Sequence, residues 1–355
     1  MDVALNSEQL SLRDTVRDIL RTECPPDAAR QAMTDPERWR ALWKTVVDLG
    51  WTELAHTGDY GPVELAVVLE ECGASIAPIP LLSCVGLAAG ALRGTDLDAV
   101  LDDIAGGAVA TLAVHAKGSR LPGAPMTLRG GRLRGRAVGV PNLSRADLLV
   151  TLARDDTAPN GTVVAVARCG DGVSVIAGES TDPAHPLADV EVDAEPVAAA
   201  PVEIETALTP PLVAAAADLV GVARAALHRS VEHAKTRRQF GTPIGAFQGI
   251  KHALAENYVG LERARSLTYA AAARLHDPTT APADAWTSAA LAKAAAGDAA
   301  VNCARTAVQV HGALGQTWEH DAHLYVRHAW QAAAVLGDSR ALYHEVGRRF
   351  AGSAK

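Results

Sequence analysis

Hydrophobic and polar positions change rhythm twice along the chain. From Asn6 to about Leu101 the spacing is helical: in NSEQLSLRDTVRDIL, Ser7 is placed as N-cap, and Leu10, Val16 and Leu20 recur near a helical period. The run GPVELAVVLEECGASIAP is apolar on most faces and predicts a buried helix stopped at Gly73. Short β-branched runs then follow (VATLAV, RLRGRAVGV, ADLLVTLA, GTVVAVAR, GVSVIA), cut by Gly, Pro, Asn and Asp, which predicts an antiparallel sheet or small barrel. From Thr206 the helical rhythm returns, with Thr209 as a cap and Pro210 and Pro211 in the first turn, where a missing amide hydrogen is tolerated. The fold class expected is α+β, in three domains: helical over 1–105, β-sheet or barrel over 106–204, and a C-terminal four-helix bundle over 205–355.

Composition narrows the class. With 355 residues the chain exceeds one typical core. The sequence shows no apolar run near the length of a membrane span and no basic-then-apolar leader, so neither a membrane partner nor export is expected. A formal charge of -8 gives no footprint for nucleic acid. The cysteines, Cys24, Cys72, Cys84, Cys169 and Cys303, form no CxxC pair, so neither a disulfide framework nor a zinc site is indicated, and a reducing cytoplasm is the expected setting.

Two segments stand apart from this frame. KTRRQFGTPIGAFQ sets Arg237, Arg238, Gln239 and Phe240, one of only three phenylalanines, on a break between two antiparallel helices. QVHGALGQTWEHDAHLYVRHAW places Gln309, a Gly-Ala-Leu-Gly turn and Arg327 within an aromatic-rich stretch. A guanidinium offers a planar fork to phosphate oxygens, an amide reads ribose or adenine edges, and glycine lets backbone approach a ligand. Together these parts suit a dinucleotide.

The two segments resemble the C-terminal signatures of the acyl-CoA dehydrogenases, FAD-dependent enzymes with the same order of helices, sheet and helices. The resemblance covers nearly the whole chain. In homotetrameric members these signatures reach across an interface to the ADP half of a neighbour's FAD. Carried onto this sequence, Arg237 would contact the pyrophosphate, Phe240 would pack near the adenosine, and Gln239 would be the adjoining polar contact. Gln309 and Gly312 would meet the adenine and its pyrophosphate, and Ala313 stands where a second glycine is usual.

The family's chemistry requires a carboxylate that removes the α-proton of an acyl-CoA thioester while flavin accepts hydride from the β-carbon. One family position for that base matches Leu336, before Gly337; the other matches Pro211, followed by Leu212 where an arginine is common. Neither is acidic, and Asp338, the acid nearby, is a carbon shorter than glutamate. Glu319 is the substitute to consider. The stretches that would hold the isoalloxazine ring, TLAVHAKGSR and RAVGVPNLS, lack the family's acidic-proline and tryptophan elements and keep only Gly118 and Ser119.

This combination is similar to a heteromeric branch known among actinobacteria, in which homologous chains form an α2β2 heterotetramer. One chain holds the ring and the base, and the other completes the nucleotide site. The expectation is the non-catalytic subunit of such an enzyme, dehydrogenating an acyl-CoA and passing electrons to an electron-transfer flavoprotein. Two alternatives stay open: a self-sufficient homo-oligomeric dehydrogenase with a displaced base, and a non-enzymatic scaffold of the same fold. Plainer readings cover the remaining features. WEHDAH, with His320 and His323 three apart, lacks the His-x-x-x-His zinc spacing and reads as a turn, so no metal is expected. Of Glu70 and Glu71 at most one is expected to be buried, Cys72 and Cys303 are core residues, LPGAPMTLRGGRLRGR is turns between strands, and Trp318, Tyr325 and Trp330 pack the C-terminal helices together.

Overall fold

The computed structural model describes residues 4–25, 27–56 and 60–353. The first layer comprises α1 (Ser7–Glu23), α2 (Asp27–Ala32), α3 (Trp39–Asp48), α4 (Pro62–Ser75), a π-helical segment (Leu82–Ala89) running into α5 (Gly90–Leu92), and α6 (Asp98–Ala105). The N-cap of α1 is Asn6 rather than Ser7: its side chain accepts from the Gln9 amide at 2.9 Å, and the Gln9 side chain accepts from the Asn6 amide at 3.0 Å.

Helix α4 does not stop at Gly73 but continues to Ser75, with Ile76 left-handed as its C-cap. Gly73 serves packing instead. A Cβ there would lie 2.1 Å from the Asp218 carbonyl oxygen, and one at Gly221 would lie 1.9 Å from the Glu70 carbonyl oxygen. The two helices therefore touch backbone to backbone, which only glycine permits at both points. This crossing fixes α4 in the core against α7 (Ile204–Thr236).

Both Glu70 and Glu71 are buried, contrary to the expectation of at most one. Helix α4 is enclosed by three helices, and each supplies partners. Arg17 of α1 pairs with Glu71 at 2.9 Å, and Arg224 of α7 pairs with Glu70 at 3.0 Å and Glu71 at 2.7 Å. Arg265 and Tyr269, from α8 (Gln248–Leu275), reach Glu70, each at 2.9 Å. Buried carboxylates persist where such partners replace water.

The sheet contains β1 (Ala110–Ala113), β2 (Met126–Arg129), β3 (Arg132–Pro141), β4 (Leu148–Arg154), β5 (Thr162–Arg168), β6 (Val173–Ala177), β7 (Leu187–Ala194) and β8 (Ala198–Pro201). Its order is β6-β7-β3-β2-β4-β5-β8, with β1 also on β4. Most pairs are antiparallel, but β1 and β2 both run parallel to β4: Ala110–Ala113 lie opposite Leu148–Thr151, and Met126 and Thr127 opposite Ala153 and Arg154. One edge of β4 is thus covered by two strand pieces in turn, and residues 114–125 between them are thrown out of the sheet. In β4, Leu148, Val150 and Leu152 join the helical core, while Leu149 and Ala153 face a second core within the sheet, as a period of two requires.

Helix α7 begins at Ile204, six residues before Pro210, so Thr209, Pro210 and Pro211 lie inside it rather than at its cap. Thr209 Oγ1 donates to the Glu205 carbonyl at 2.6 Å, and a Cβ on Gly90 would meet Pro211 Cδ at 3.2 Å. Packing against the segment at Gly90 holds a helix that proline alone would interrupt. By length and composition α7 could cross a membrane, a property its broken pattern concealed, yet 89% of its most apolar window is buried in the fold. It is followed by a hairpin of β9 (Arg238–Gln239) and β10 (Thr242–Pro243), then α8, α9 (Pro282–His311), α10 (Ala322–Ala334) and α11 (Ser339–Ser353). Helices α7, α8, α9 and α10 form the bundle, and α11 lies along α9. Cys72 and Cys303 are buried, as expected. Tyr325 is buried with its hydroxyl on the Ala74 carbonyl, but Trp318 and Trp330 are 49% and 52% exposed and do not pack the helices together. Trp318 instead stacks on His323, ring centroids 5.3 Å apart.

Candidate functional site

Helix α7 ends where the Arg237 amide donates to the His233 carbonyl at 2.8 Å; the Ile244 amide then returns to the Arg237 carbonyl, also at 2.8 Å. At the hairpin tip Phe240 and Gly241 have φ of +52° and +80°, the backbone of a two-residue primed turn. Phenylalanine seldom adopts that conformation, and here its ring is 92% exposed, with an edge contact to Phe247 (centroids 6.1 Å apart). Arg237, Arg238 and Gln239 are exposed beside it.

The second segment meets the first through tilted ring contacts. His233 lies 4.2 Å, centroid to centroid, from His311 at the end of α9, and His311 lies 4.4 Å from His320. Gln309 is exposed one turn back, and Gly312 has φ +63° with open space where a Cβ would point. Arg237 and Phe240 from one segment, and Gln309 and Gly312 from the other, thus stand at the same end of the bundle.

The family's base positions lie elsewhere. Leu336 is 1% exposed with φ +61°, and Gly337 follows at φ +100°. Lys293 of α9 is buried beneath this loop, its Nζ donating to the Ala333 carbonyl at 3.1 Å and the Gly337 carbonyl at 3.4 Å. Burial pushes Lys293 down to about 7 against the attraction of Asp218 and Asp338.

Asp338 is committed twice. It caps α11 by accepting from the Ala341 amide at 2.9 Å, and it accepts from Arg120 at 2.6 Å. Burial opposes its ionisation, but Arg120 and the amides outweigh it and hold the carboxyl below the usual carboxylate range. Arg120 belongs to the excursion 114–125, and Leu121 beside it packs over Gly337. The segment matching the ring-holding stretch is therefore closed onto the loop matching the base.

The cavity beside Val335 measures about 50 Å³, less than the several hundred of small-molecule pockets (~300–1,000 Å³), while more open pockets of about 450 Å³ at Arg120 and Leu121 and about 290 Å³ at Asp338 and Ser339 flank the base loop. Pro211 is buried on Gly90. Glu319 is exposed ahead of α10, whereas Leu336 lies beyond its other end. A helix of 13 residues holds such ends about 20 Å apart.

One buried cluster escaped the sequence reading. His328 of α10 lies between Asp182 (Nδ1, 2.8 Å) and Asp218 (Nε2, 3.1 Å), and His185 lies between Asp182 (2.7 Å) and the Ala77 carbonyl (2.8 Å). Burial opposes charging His328, but Asp218 and Asp182 outweigh it and raise it to about 10. Asp182, His185 and His328 could be taken for metal ligands. Every ring nitrogen already has a hydrogen-bond partner and the charged His328 lies between two acids, so the cluster is a satisfied polar lock joining sheet, α4 end, α7 and α10. Its signal in the sequence was slight: Asp218 and His328 are single charged residues at core positions of alanine-rich helices, and Asp182 and His185 lie in the connection between β6 and β7.

A helical layer, a sheet and a helical bundle, with a cationic hairpin and a glycine turn at one bundle end, define the class of flavin-dependent acyl-thioester dehydrogenases. The family models described as Acyl-CoA dehydrogenase, N-terminal domain, and Acyl-CoA dehydrogenase, C-terminal domain, match residues 6–95 and 204–350. The chain is 31% identical over 355 residues to acyl-CoA dehydrogenase IpdE2 of Mycolicibacterium smegmatis, covering 95% of this chain and 96% of that one. Among solved structures it is similar to a chain of the ChsE4-ChsE5 complex from Mycobacterium tuberculosis (TM-score 0.85, 27% identity, 99% of each chain). It is also similar to a variant of the Tcur3481-Tcur3483 steroid ACAD (TM-score 0.87, 27% identity, 98% of each chain). The chain belongs to the acyl-CoA dehydrogenase family, FAD-binding oxidoreductases acting on CH-CH bonds.

Tested against FAD, the residues divide. Arg237, Gln239, Phe240 and Gln309 are exposed and Gly312 leaves open space, so their side chains and backbone are free to meet an ADP half. Residues 120–121 contact 337–338, so the stretch that matches the ring-holding element touches the loop that matches the base.

Proposed function

We propose that this chain is the non-catalytic subunit of a heteromeric, FAD-dependent acyl-CoA dehydrogenase, most simply α2β2. The observation that carries this reading is the base loop, where a buried Leu336 stands in place of a carboxylate under a closed Arg120–Asp338 pair. Arg237, Gln239, Phe240, Gln309 and Gly312 reach the ADP half of the FAD on a homologous partner. Bound FAD would supply hydride acceptance at the partner's site, and the partner would supply the base. This chain's contribution is to hold the diphosphate and adenosine. An exposed phenylalanine held at positive φ supports the reading, because such a tip gains its packing from another chain.

The likenesses to the ChsE4-ChsE5 complex and to the Tcur3481-Tcur3483 steroid ACAD favour a two-chain enzyme and a steroid-derived acyl thioester. An electron-transfer flavoprotein is the acceptor that fits this chemistry, and the cytoplasm the setting. The test is co-expression with a homologous subunit, with flavin and acyl-CoA dehydrogenation quantified for each preparation. Activity of the pair and none in either lone chain supports the reading. Dehydrogenation by this chain alone overturns it.

A further inference from the structure

Three imidazoles lie in tilted ring contact beside the hairpin. His233 of α7, His311 of α9 and His320 ahead of α10 bring rings to 4.2 and 4.4 Å at the point where Arg237 and Gly312 emerge. The charged groups around them are mostly cationic. Helix α7 supplies Arg229 and Arg237, and α10 supplies His323. Among the described residues the carboxylate acting on the stack is Asp321, already bound by Arg30 of α2 at 2.7 Å and Arg229 at 3.0 Å. Glu232 turns away to Lys235 at 2.7 Å. Burial, then the neighbouring cations, holds His233 and His320 below the ordinary imidazole range. An uncompensated cluster of this kind is poised to accept an anion together with a proton.

Hydrogen bonds indicate where that proton goes. His311 Nδ1 is 2.7 Å from the Ala307 carbonyl and must donate to it, which leaves Nε2 as its basic atom. His320 Nδ1 already accepts from the Ala322 amide at 3.1 Å, so protonating it would break that bond. His311 Nε2 and the ring of His233 are therefore the receiving sites.

We propose that the His233–His311–His320 stack is the proton-accepting part of a diphosphate subsite, so that a nucleotide diphosphate held at Arg237 and Gly312 binds together with a proton. This rests on the reading of the hairpin given under Proposed function and adds its regulation: flavin-mediated assembly with the partner strengthens as pH falls toward the histidine range.

ADP-ribose is the probe, because its diphosphate keeps a constant charge between about pH 6 and about pH 8 while imidazole titrates. Its affinity for the full chain is measured by NMR titration at both pH values, following the backbone amides of Arg237 and Gly312 and the imidazole signals. One unit of upward shift on a single histidine is worth about tenfold in affinity only well below its free value, so between about pH 8 and about pH 6 it corresponds to roughly three- to fivefold tighter binding at the lower pH. The expected result is that gain, with the His311 and His233 signals titrating at higher pH when ADP-ribose is bound, and a flatter dependence in His311→Gln. Shifts at Arg237 and Gly312 with equal affinity at both pH values overturn the proton coupling and leave the hairpin reading intact. No shift at Arg237, Gly312 or the stack overturns both.

Discussion

Arg120 and Asp338, 218 positions apart in sequence, are joined at 2.6 Å across the place where the sheet meets the bundle. The pair is partly exposed and contributes little stability by itself. Its consequence is spatial: it holds residues 120–121 over Gly337, against the base loop. Restoring a carboxylate with Leu336→Glu should therefore not create dehydrogenase activity in the lone chain, and a buried, unpaired acid should cost about 3 kcal/mol or more in stability. Acyl-CoA turnover by the purified variant, alongside its urea unfolding midpoint, checks both statements.

Arg237→Ala removes a charge-assisted contact to the diphosphate in the two-chain complex. Flavin retention should fall by about tenfold to a hundredfold, the range for one such hydrogen bond. Dialysis of the complex followed by flavin quantification measures it, and undiminished FAD content would remove Arg237 from the site.

His328→Gln leaves Asp182 and Asp218 without their shared cation. The expected loss is about 3–5 kcal/mol at neutral pH, read by denaturant unfolding. The folded pKa of His328 is raised to about 10, so its stabilisation is complete below the unfolded value (about 6.5) and is lost as pH rises toward the folded one. The variant should lack that alkaline decline.

Lys293 acts with the opposite sign. Its folded pKa is lowered to about 7, so between that value and the unfolded one (about 10.4) the unfolded chain binds more protons and stability rises with pH. The two trends overlap and offset one another in the native protein. Lys293→Met should expose the His328 decline as a steeper fall of the melting temperature above about pH 7, measured by scanning calorimetry.

Gly221→Ala would place a Cβ 1.9 Å from the Glu70 carbonyl oxygen and 2.7 Å from the Ala74 amide nitrogen. Backbone cannot yield as a side-chain end would, so α4 and α7 must separate, at a cost of about 3 kcal/mol or more. Thermal unfolding of the purified variant tests it, and an unchanged midpoint would show that the crossing is looser than described.

The sequence was most legible where local rules govern. Periodicity located the helical layer, the sheet and the bundle, and Arg-Arg-Gln-Phe followed by Gly-Thr-Pro marked the hairpin between α7 and α8. What escaped depended on partners far away along the chain. Gly73 looked like a helix stop because its true neighbour, the Asp218 carbonyl, lies on another helix. Glu70 and Glu71 looked solvated because the cations that bury them come from α1, α7 and α8. Thr209 and the two prolines looked like a helix start because the packing at Gly90 that carries α7 through them is tertiary. The parallel pairing of β1 and β2 with β4 was hidden by a spacing that suits antiparallel neighbours equally well. At the candidate site the segment from Arg237 to Phe240 was legible as a break between two helices, and Pro211 and Leu336 are non-acidic in the sequence itself. The closure by Arg120 and Leu121, and the histidine stack, required the fold.

The most direct measurement is the visible absorption spectrum of this chain purified alone and after co-purification with a homologous subunit. Flavin bands in the co-purified sample only, with activity in that sample, are what a subunit lending its diphosphate arm to another chain's FAD predicts. Full flavin occupancy and turnover in the lone chain would contradict the account.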